Sequence, residues 1–225
     1  KEFRRIQTER WRLLPENLIG LLDHDDLLAP NALYEIAKAV NEHPDAEVIY
    51  TDEDKVTTDL KEHFQPHLKP DFNLDLLRSN NYICHFFVAS RDLIKRVGGF
   101  RPEFNGAQDY DLILRCTEQA KQIVHIPKIL YHWRVHKAST ADNPASKMYA
   151  FDAGKRAIEE HLVRCRTKGT VQHTKNLGFY RVKYEVCGEP LVSIIIPNKD
   201  QSEALKKCLD SIREKTSYRN YEIIM

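Results

Sequence analysis

The run Leu18-Ile19-Gly20-Leu21-Leu22 is followed at once by Asp23-His24-Asp25-Asp26. A short apolar run of this kind reads as a buried strand. Three carboxylates in four residues then fall where that strand leaves its sheet. In open α/β sheets, ligands bind outside the carboxyl ends of the strands. Carboxylates are hard oxygen ligands, and Mg²⁺ or Mn²⁺ carrying a diphosphate takes one or two of them. The junction points to an α/β fold with a metal-diphosphate site. A solvated acidic turn ahead of a helix near Asn31 explains the same residues with no ligand.

The chain has 225 residues. That is room for one α/β domain with a sizeable core, or for one domain and a piece of another. A net charge of +1 gives no global attraction for nucleic acid. Mean hydropathy is −0.54, and no stretch approaches the ~20 apolar residues of a membrane span. The start, Lys1-Glu2-Phe3-Arg4-Arg5, lacks the apolar core of a signal peptide. The five cysteines (Cys84, Cys116, Cys165, Cys187, Cys208) are scattered, with no C-x-x-C pair. They read as reduced thiols of a cytoplasmic protein, not as a disulfide scaffold or zinc ribbon.

Residues 1–17 are basic, weakly periodic and unassigned. Pro30 suits a first helical turn, and Leu33, Ile36, Ala37 and Val40 mark one face of the helix that follows. Val48–Tyr50 is expected as a short strand ending in the acidic cluster Asp52-Glu53-Asp54. A loop-rich stretch runs from Lys55 to Asp71. Tyr82–Ala89 reads as a strand containing a core or cleft-wall histidine, His85. Arg91–Val97 reads as a helix capped by Gly98-Gly99. A helix begins near Asp109, and Pro127 separates two strand-like stretches, Ile123–Ile126 and Ile129–Trp133. Met148–Arg164 is an amphipathic helix and Phe179–Val186 an alternating strand. The pattern then resets: apolar Leu191–Ile196, the breaker Pro197-Asn198, a helix over Glu203–Lys215 and a strand from Tyr221 open a new βαβ unit. With Met225 falling in that strand, the chain is expected to be a fragment whose second domain is cut short.

Two further segments carry chemistry. Asp109 follows Asn105-Gly106-Ala107-Gln108 at a helix N-terminus, where a carboxylate is stabilised and could deprotonate a hydroxyl. A routine N-cap explains it equally. In Tyr131-His132-Trp133-Arg134-Val135-His136, strand alternation puts His132, Arg134 and His136 on one face. Imidazoles suit a metal and Arg134 a phosphate; an edge strand with a wet side is the alternative.

These segments, in this order, resemble the family-2 glycosyltransferases of the GT-A fold. Asp23-His24-Asp25-Asp26 looks like the family's Asp-x-Asp motif. Gly98-Gly99-Phe100 through Gln108-Asp109-Tyr110-Asp111 looks like its Gly-Gly-Phe…Glu-Asp segment, with Gln108 in place of Glu. Tyr131-His132-Trp133-Arg134 with Ser139-Thr140 looks like its downstream strand, and Val192–Asn198 like the opening of a second such domain. The nearest likeness is to bacterial enzymes of rhamnan or O-antigen type that carry tandem transferase domains. The resemblance implies a Rossmann-like mixed sheet with helices on both faces. It divides the chain into an N-terminal segment (1–17), a catalytic half-domain (18–140), a connecting region (141–190) and the start of a second GT-A domain (191–225).

The resemblance also implies transfer, with inversion, of a sugar from a nucleotide-diphosphate donor to a hydroxyl of a glycan or lipid-linked glycan. The cofactor would be Mn²⁺ or Mg²⁺. Asp25 would bind the metal, with His132 as a further ligand and His136 as its alternate. Asp23 and Asp26 would contact the sugar nucleotide or the metal's waters, Arg134 the diphosphate, and Asp109 would be the general base. The expected location is the cytoplasm, with peripheral docking of the parent protein on the inner membrane face. No recognisable nucleoside-binding units precede Leu18, so an inactive glycan-binding piece is the first alternative. A haloacid-dehalogenase-type phosphatase built on Asp23-x-Asp25 is the second.

Overall fold

The computed structural model describes residues 18–135 and 148–225. His136, Ser139 and Thr140 lie outside the described residues. The chain divides into two units, one ending at Tyr184 and the other spanning Glu185–Met225.

In the first unit a mixed sheet has the strand order β1-β5-β3-β6-β2, with β4 paired to β3. The strands are β1 (Leu18–Gly20), β2 (Leu27–Leu28), β3 (Ala46–Thr57), β4 (His63–His67), β5 (Phe87–Ser90) and β6 (Gln122–Val135). β3 and β6 run parallel, while β5 is antiparallel to both β1 and β3. Alternation sends Val48, Tyr50, Phe87 and Ala89 into one core and Ile49, Phe86 and Val88 into another. A sheet covered on both faces explains the near-continuous apolar runs of these strands.

The second of these cores lies under α1 (Ala32–Glu42), which buries Ala32, Ile36 and Ala39. The expected face was displaced, since Leu33 and Ala37 are exposed. The first core is covered by α3 (Arg91–Val97), α4 (Gln108–Gln119) and α5 (Met148–Arg164), with α2 (Leu74–Ser79) contributing Leu77. Gly98 ends α3 in the left-handed region at φ +86°, as its place after the helix implied.

Residues 148–184 pack into the first unit. Helix α5 and the hairpin β7 (Gly169–His173)–β8 (Tyr180–Tyr184) supply Ala153, Ala157, Ile158, Leu162, Val171 and Tyr180 to the first core. Gly154 makes this packing possible: a Cβ there would meet Tyr180 Oη at 2.2 Å.

Several strands depart from expectation: Tyr82–Ala89 is a strand only from Phe87, and β4 lies within the stretch expected to be loop-rich. The strand expected at Val48–Tyr50 runs on through its own acidic cluster to Thr57. Ile123–Ile126 and Ile129–Trp133 are one strand, β6, with register shifts around Pro127. In the second unit, β9 (Val192–Ile195) pairs in parallel with β10 (Tyr221–Ile224) across α6 (Ser202–Lys215). This is the βαβ unit that the sequence pattern predicts. None of the residues of α6 is buried.

The carboxylate of Asp111 has no solvent exposure and is clamped between Arg101 (2.5 Å) and Arg115 (2.6 Å). Arg115 also donates to the carbonyls of Val97 (2.6 Å) and Gly99 (2.7 Å), tying the glycine turn to α4. Burial pushes the Asp111 carboxyl up, but the two guanidiniums outweigh burial and hold it below the usual carboxylate range. The stability it contributes is therefore complete above that range and is lost as pH falls through the depressed value. Asp111→Ala, which leaves the buried Arg115 guanidinium without its anion while Arg101 keeps Glu160 (2.8 Å), is expected to destabilise the unit by ~3 kcal/mol, measured by urea unfolding at neutral pH.

Candidate functional site

β1 and β2 occupy opposite ends of the sheet order. The acidic turn Asp23–Asp26 therefore carries the chain from one side of the sheet to the other. Leu21 N–H still donates to Phe87 O (2.9 Å), and Asp26 N–H closes the turn onto Asp23 O (3.2 Å). β1, β3 and β6 point the same way, so the turn leaves β1 at its carboxyl end, where α/β sheets place ligands.

The turn is held by β6. Tyr131 Oη donates to Asp26 Oδ2 and accepts from Asp23 N–H (3.3 Å), while Arg134 N–H donates to Asp26 Oδ1 (2.9 Å). The Tyr131 ring stacks on His85, with centroids 4.5 Å apart. Ligand atoms of Asp23, Asp26 and His85 all lie within 4.8 Å of one another. The Asp23 carboxyl is pushed up, first by burial and then by the charges of Asp26, Asp109 and Asp25, with His85 opposing. His85 Nδ1 and Arg134 Nε are buried and have no hydrogen-bond partner. Two crowded carboxylates and an unsatisfied imidazole nitrogen fit a hard or borderline divalent cation.

The other expected ligands are placed differently. Asp25 lies outside this trio, 3.7 Å from His24. His132 turns to a second cluster, with Nδ1 2.6 Å from Asp54 Oδ1, and His63 lies 3.0 Å from Asp54 Oδ2. The pairings Glu53–Tyr131 and Asp54–His132 put these two residue pairs on alternate faces of the ribbon. His132 is thus separated from Tyr131's side by strand alternation.

Asp109 is not the helix cap; Ala107 occupies that position. The Asp109 side chain instead accepts from Asn81 Nδ2 (2.9 Å), and its charge is felt at Asp23. Asp111, sealed between two arginines, is unavailable as the later acidic motif that a phosphatase needs.

Sequence reasoning missed three residues. Lys69 has a fully buried ammonium that donates to Ile83 O (2.7 Å) and His85 O and lies 3.6 Å from Glu53 Oε2. Burial pulls the Lys69 ammonium down in pKa, with Glu53 opposing. Glu53 also holds His67 Nδ1 (3.2 Å). Burial raises the Glu53 carboxyl, but His67, Lys69 and His85 together leave it below its usual value. Period-two alternation through Glu53 could have exposed this strand; nothing local marked Lys69, and His85 was read as a core or cleft-wall residue, not as a ligand.

No family model matches the chain. It is 47% identical over 210 residues to the uncharacterized protein y4gI of Sinorhizobium fredii, covering 92% of this chain and 23% of that protein. It is 40% identical over 222 residues to the O-antigen biosynthesis protein RfbC of Myxococcus xanthus, covering 98% of this chain and 17% of that one. The chain thus spans less than a quarter of the length of either relative. The crystal structure of S. aureus TarS 1-349 superimposes with a TM-score of 0.51 at 15% identity, covering 71% of this chain and 44% of that one. The shared fold is mixed α/β with a curled mixed sheet. No helix among the described residues is long and apolar enough to cross a membrane.

Mn²⁺ titration separates the two clusters. Paramagnetic broadening is expected around His85 and the acidic turn. Asp23→Asn should weaken Mn²⁺ at least about tenfold, as even outer-shell losses do, and His132→Ala should leave affinity within about twofold. Broadening centred on His63 would move the cation to the Asp54 cluster.

Proposed function

We propose that this chain is the catalytic half of an inverting family-2 glycosyltransferase that moves a sugar from a nucleotide-diphosphate donor to a glycan hydroxyl. The observation that carries the reading is the convergence of Asp23, Asp26 and His85 beside Asp109, on a fold of GT-A type. Likeness to an O-antigen biosynthesis protein supports bacterial surface polysaccharide as the product. Asp23, Asp26 and His85 would hold a divalent cation, with Asp25 on the same turn. Bound there, the cation supplies countercharge to the diphosphate leaving group.

The remaining roles belong to the protein. Asp109, oriented by Asn81, takes the proton of the acceptor hydroxyl as its oxygen attacks the anomeric carbon. A base acting on the acceptor, with no enzyme nucleophile, makes the reaction a single displacement and so inverts the configuration. Arg134 keeps a buried, unpaired Nε near the motif, a donor suited to a phosphate oxygen. The βαβ unit from Glu185 onward reads as the opening of a second transferase domain, since α6 buries none of its residues within the chain. The acceptor would be a glycan, free or lipid-linked, and the parent would work in the cytoplasm or docked on the inner membrane face.

Calorimetric titration with UDP and dTDP, with and without Mn²⁺, tests the donor site. Binding is expected only with the metal and is expected to be lost in Asp23→Ala. Asp109→Asn should abolish sugar transfer, a loss of at least about a hundredfold, while nucleotide affinity stays within about twofold. Equal loss of both would refute Asp109 as the base.

A further inference from the structure

The centre around Asp23, Asp26 and His85 leaves one face of the β3–β6 ribbon unused. Asp54, His63 and His132 meet on that face, and their ligand atoms all lie within 4.8 Å of one another. Three adjacent strands supply them. Asp54 pairs with His132 across β3 and β6, and Val56, two residues on, pairs with His63 of β4. Residues two apart on a strand share a face, so the backbone itself gathers the three side chains. Ligands carried on strands are held more precisely than ligands carried on loops.

The spacing is close to that around a bound ion. His132 Nδ1 lies 2.6 Å from Asp54 Oδ1, and His63 Nδ1 lies 3.0 Å from Asp54 Oδ2. The two imidazole centroids are 4.6 Å apart at 79°, so the rings do not stack on each other. Tetrahedral Zn²⁺, at its usual bond lengths to nitrogen and oxygen, puts its ligand atoms roughly 3.3 Å apart. An ion therefore enters by a small spreading of the present contacts, with each ring carrying its proton on Nε2. Asp54 is only 7% exposed, while nearly half of the His63 side chain faces solvent. The carboxylate is thus largely desolvated, and His63 gives the ion its way in.

The donor set selects the metal. Imidazole nitrogens suit Zn²⁺, whereas Mg²⁺ and Mn²⁺ favour carboxylate, carbonyl and water oxygens. Asp54, His63 and His132 offer two imidazoles and one carboxylate; Asp23, Asp26 and His85 offer the reverse. A third cluster among the described residues, Glu118, His161 and Cys165, is already committed to cations. Arg78 Nε donates to His161 Nε2 (3.0 Å), and Arg164 bonds both Glu118 oxygens (2.7 and 2.6 Å). The Asp54 oxygens are bonded by the two imidazoles instead.

We infer that Asp54, His63 and His132 form a second metal site, selective for Zn²⁺, that clasps β4 to the β3–β6 ribbon. Water takes the fourth position. The first four residues of β4 are exposed, and β4 pairs with β3; the ion adds a fastening to β6. The inference is independent of the glycosyltransferase reading.

The test follows the histidine ring signals of the isotope-labelled, metal-free chain during titration with Zn²⁺ alone. Saturable, stoichiometric shifts of the His63 and His132 rings are expected, with slower amide exchange in β4. An equal concentration of Mn²⁺ should not displace the Zn²⁺. His63→Ala and Asp54→Asn should each weaken Zn²⁺ at least about tenfold, and Asp23→Asn should leave it within about twofold. His63 is half-exposed, so its variant keeps the test intact if Asp54→Asn fails to fold. Shifts confined to His85 would give the ion to the acidic turn and overturn the second site. Shifts centred on His161, or scattered over the exposed His24 and His173, would overturn it too. So would the absence of any shift, or an affinity unchanged by His63→Ala.

Discussion

The β3–β6 ribbon depends on the neutralisation of three consecutive carboxylates inside a strand. Asp52, Glu53 and Asp54 are all less than 9% exposed. Charges removed from water to that degree are tolerated only when paired and hydrogen-bonded. Each finds a different partner: Asp52 meets His125 (2.9 Å) and Lys69 N–H (2.9 Å), Glu53 meets His67 and Lys69, and Asp54 meets His63 and His132. The partners come from β4, β6 and the segment after β4, so the charges and the sheet extension stand together. Without them β3 would have to end near Tyr50.

That ribbon in turn supports the acidic turn. Tyr131, paired in register with Glu53, carries the hydroxyl that holds Asp23 and Asp26. Lys69 links the two layers, since the same ammonium neutralises Glu53 and holds the carbonyl of His85. Charge compensation in the strand therefore also fixes the backbone of a candidate ligand. The apolar cores below make no such choice. They fix the sheet through Val48, Ile49, Phe87 and Val88, and they would be equally well served by β strands ending one turn earlier.

This division explains what was legible in the sequence. Apolar periodicity and caps are local, so Leu18–Gly20, Arg91–Val97, Met148–Arg164 and the closing βαβ unit could be read from short windows. The acidic turn and Asp109 were legible because their positions at a strand end and a helix start have local signatures. Glu53 was not, because its neighbours along the chain look like a solvated turn. What buries it, Lys69 and His67, lies more than ten residues away and is brought in by β4. His85 was legible as a core or cleft-wall residue but not as a ligand, as its Tyr131 partner is distant in sequence. The grouping of His132 with Asp25 failed on strand parity. Reading alternation along β6 alone could not reveal that Tyr131, not His132, shares a face with the acidic turn.

Tyr131 is thus the residue on which the geometry of the candidate centre converges. Its ring is fully buried, packed on His85 and against Phe86, which fixes both the imidazole and the strand leading into β5. Its hydroxyl is the only polar atom it has, and it both donates to Asp26 and accepts from the Asp23 backbone. Burial and the hydrogen bond to Asp26 push the phenol far above its usual range, so it stays a donor at any physiological pH. A protonated, buried donor can hold one carboxylate oxygen of Asp26 without competing for a cation. Arg134 N–H occupies the other oxygen through the backbone, which leaves the arginine side chain uncommitted to the turn. The turn is therefore positioned by groups that do not titrate and cannot leave. Each Asp26 oxygen keeps a further lone pair, so Asp26 stays available with the Asp23 carboxylate and the His85 imidazole to whatever ligand the centre receives.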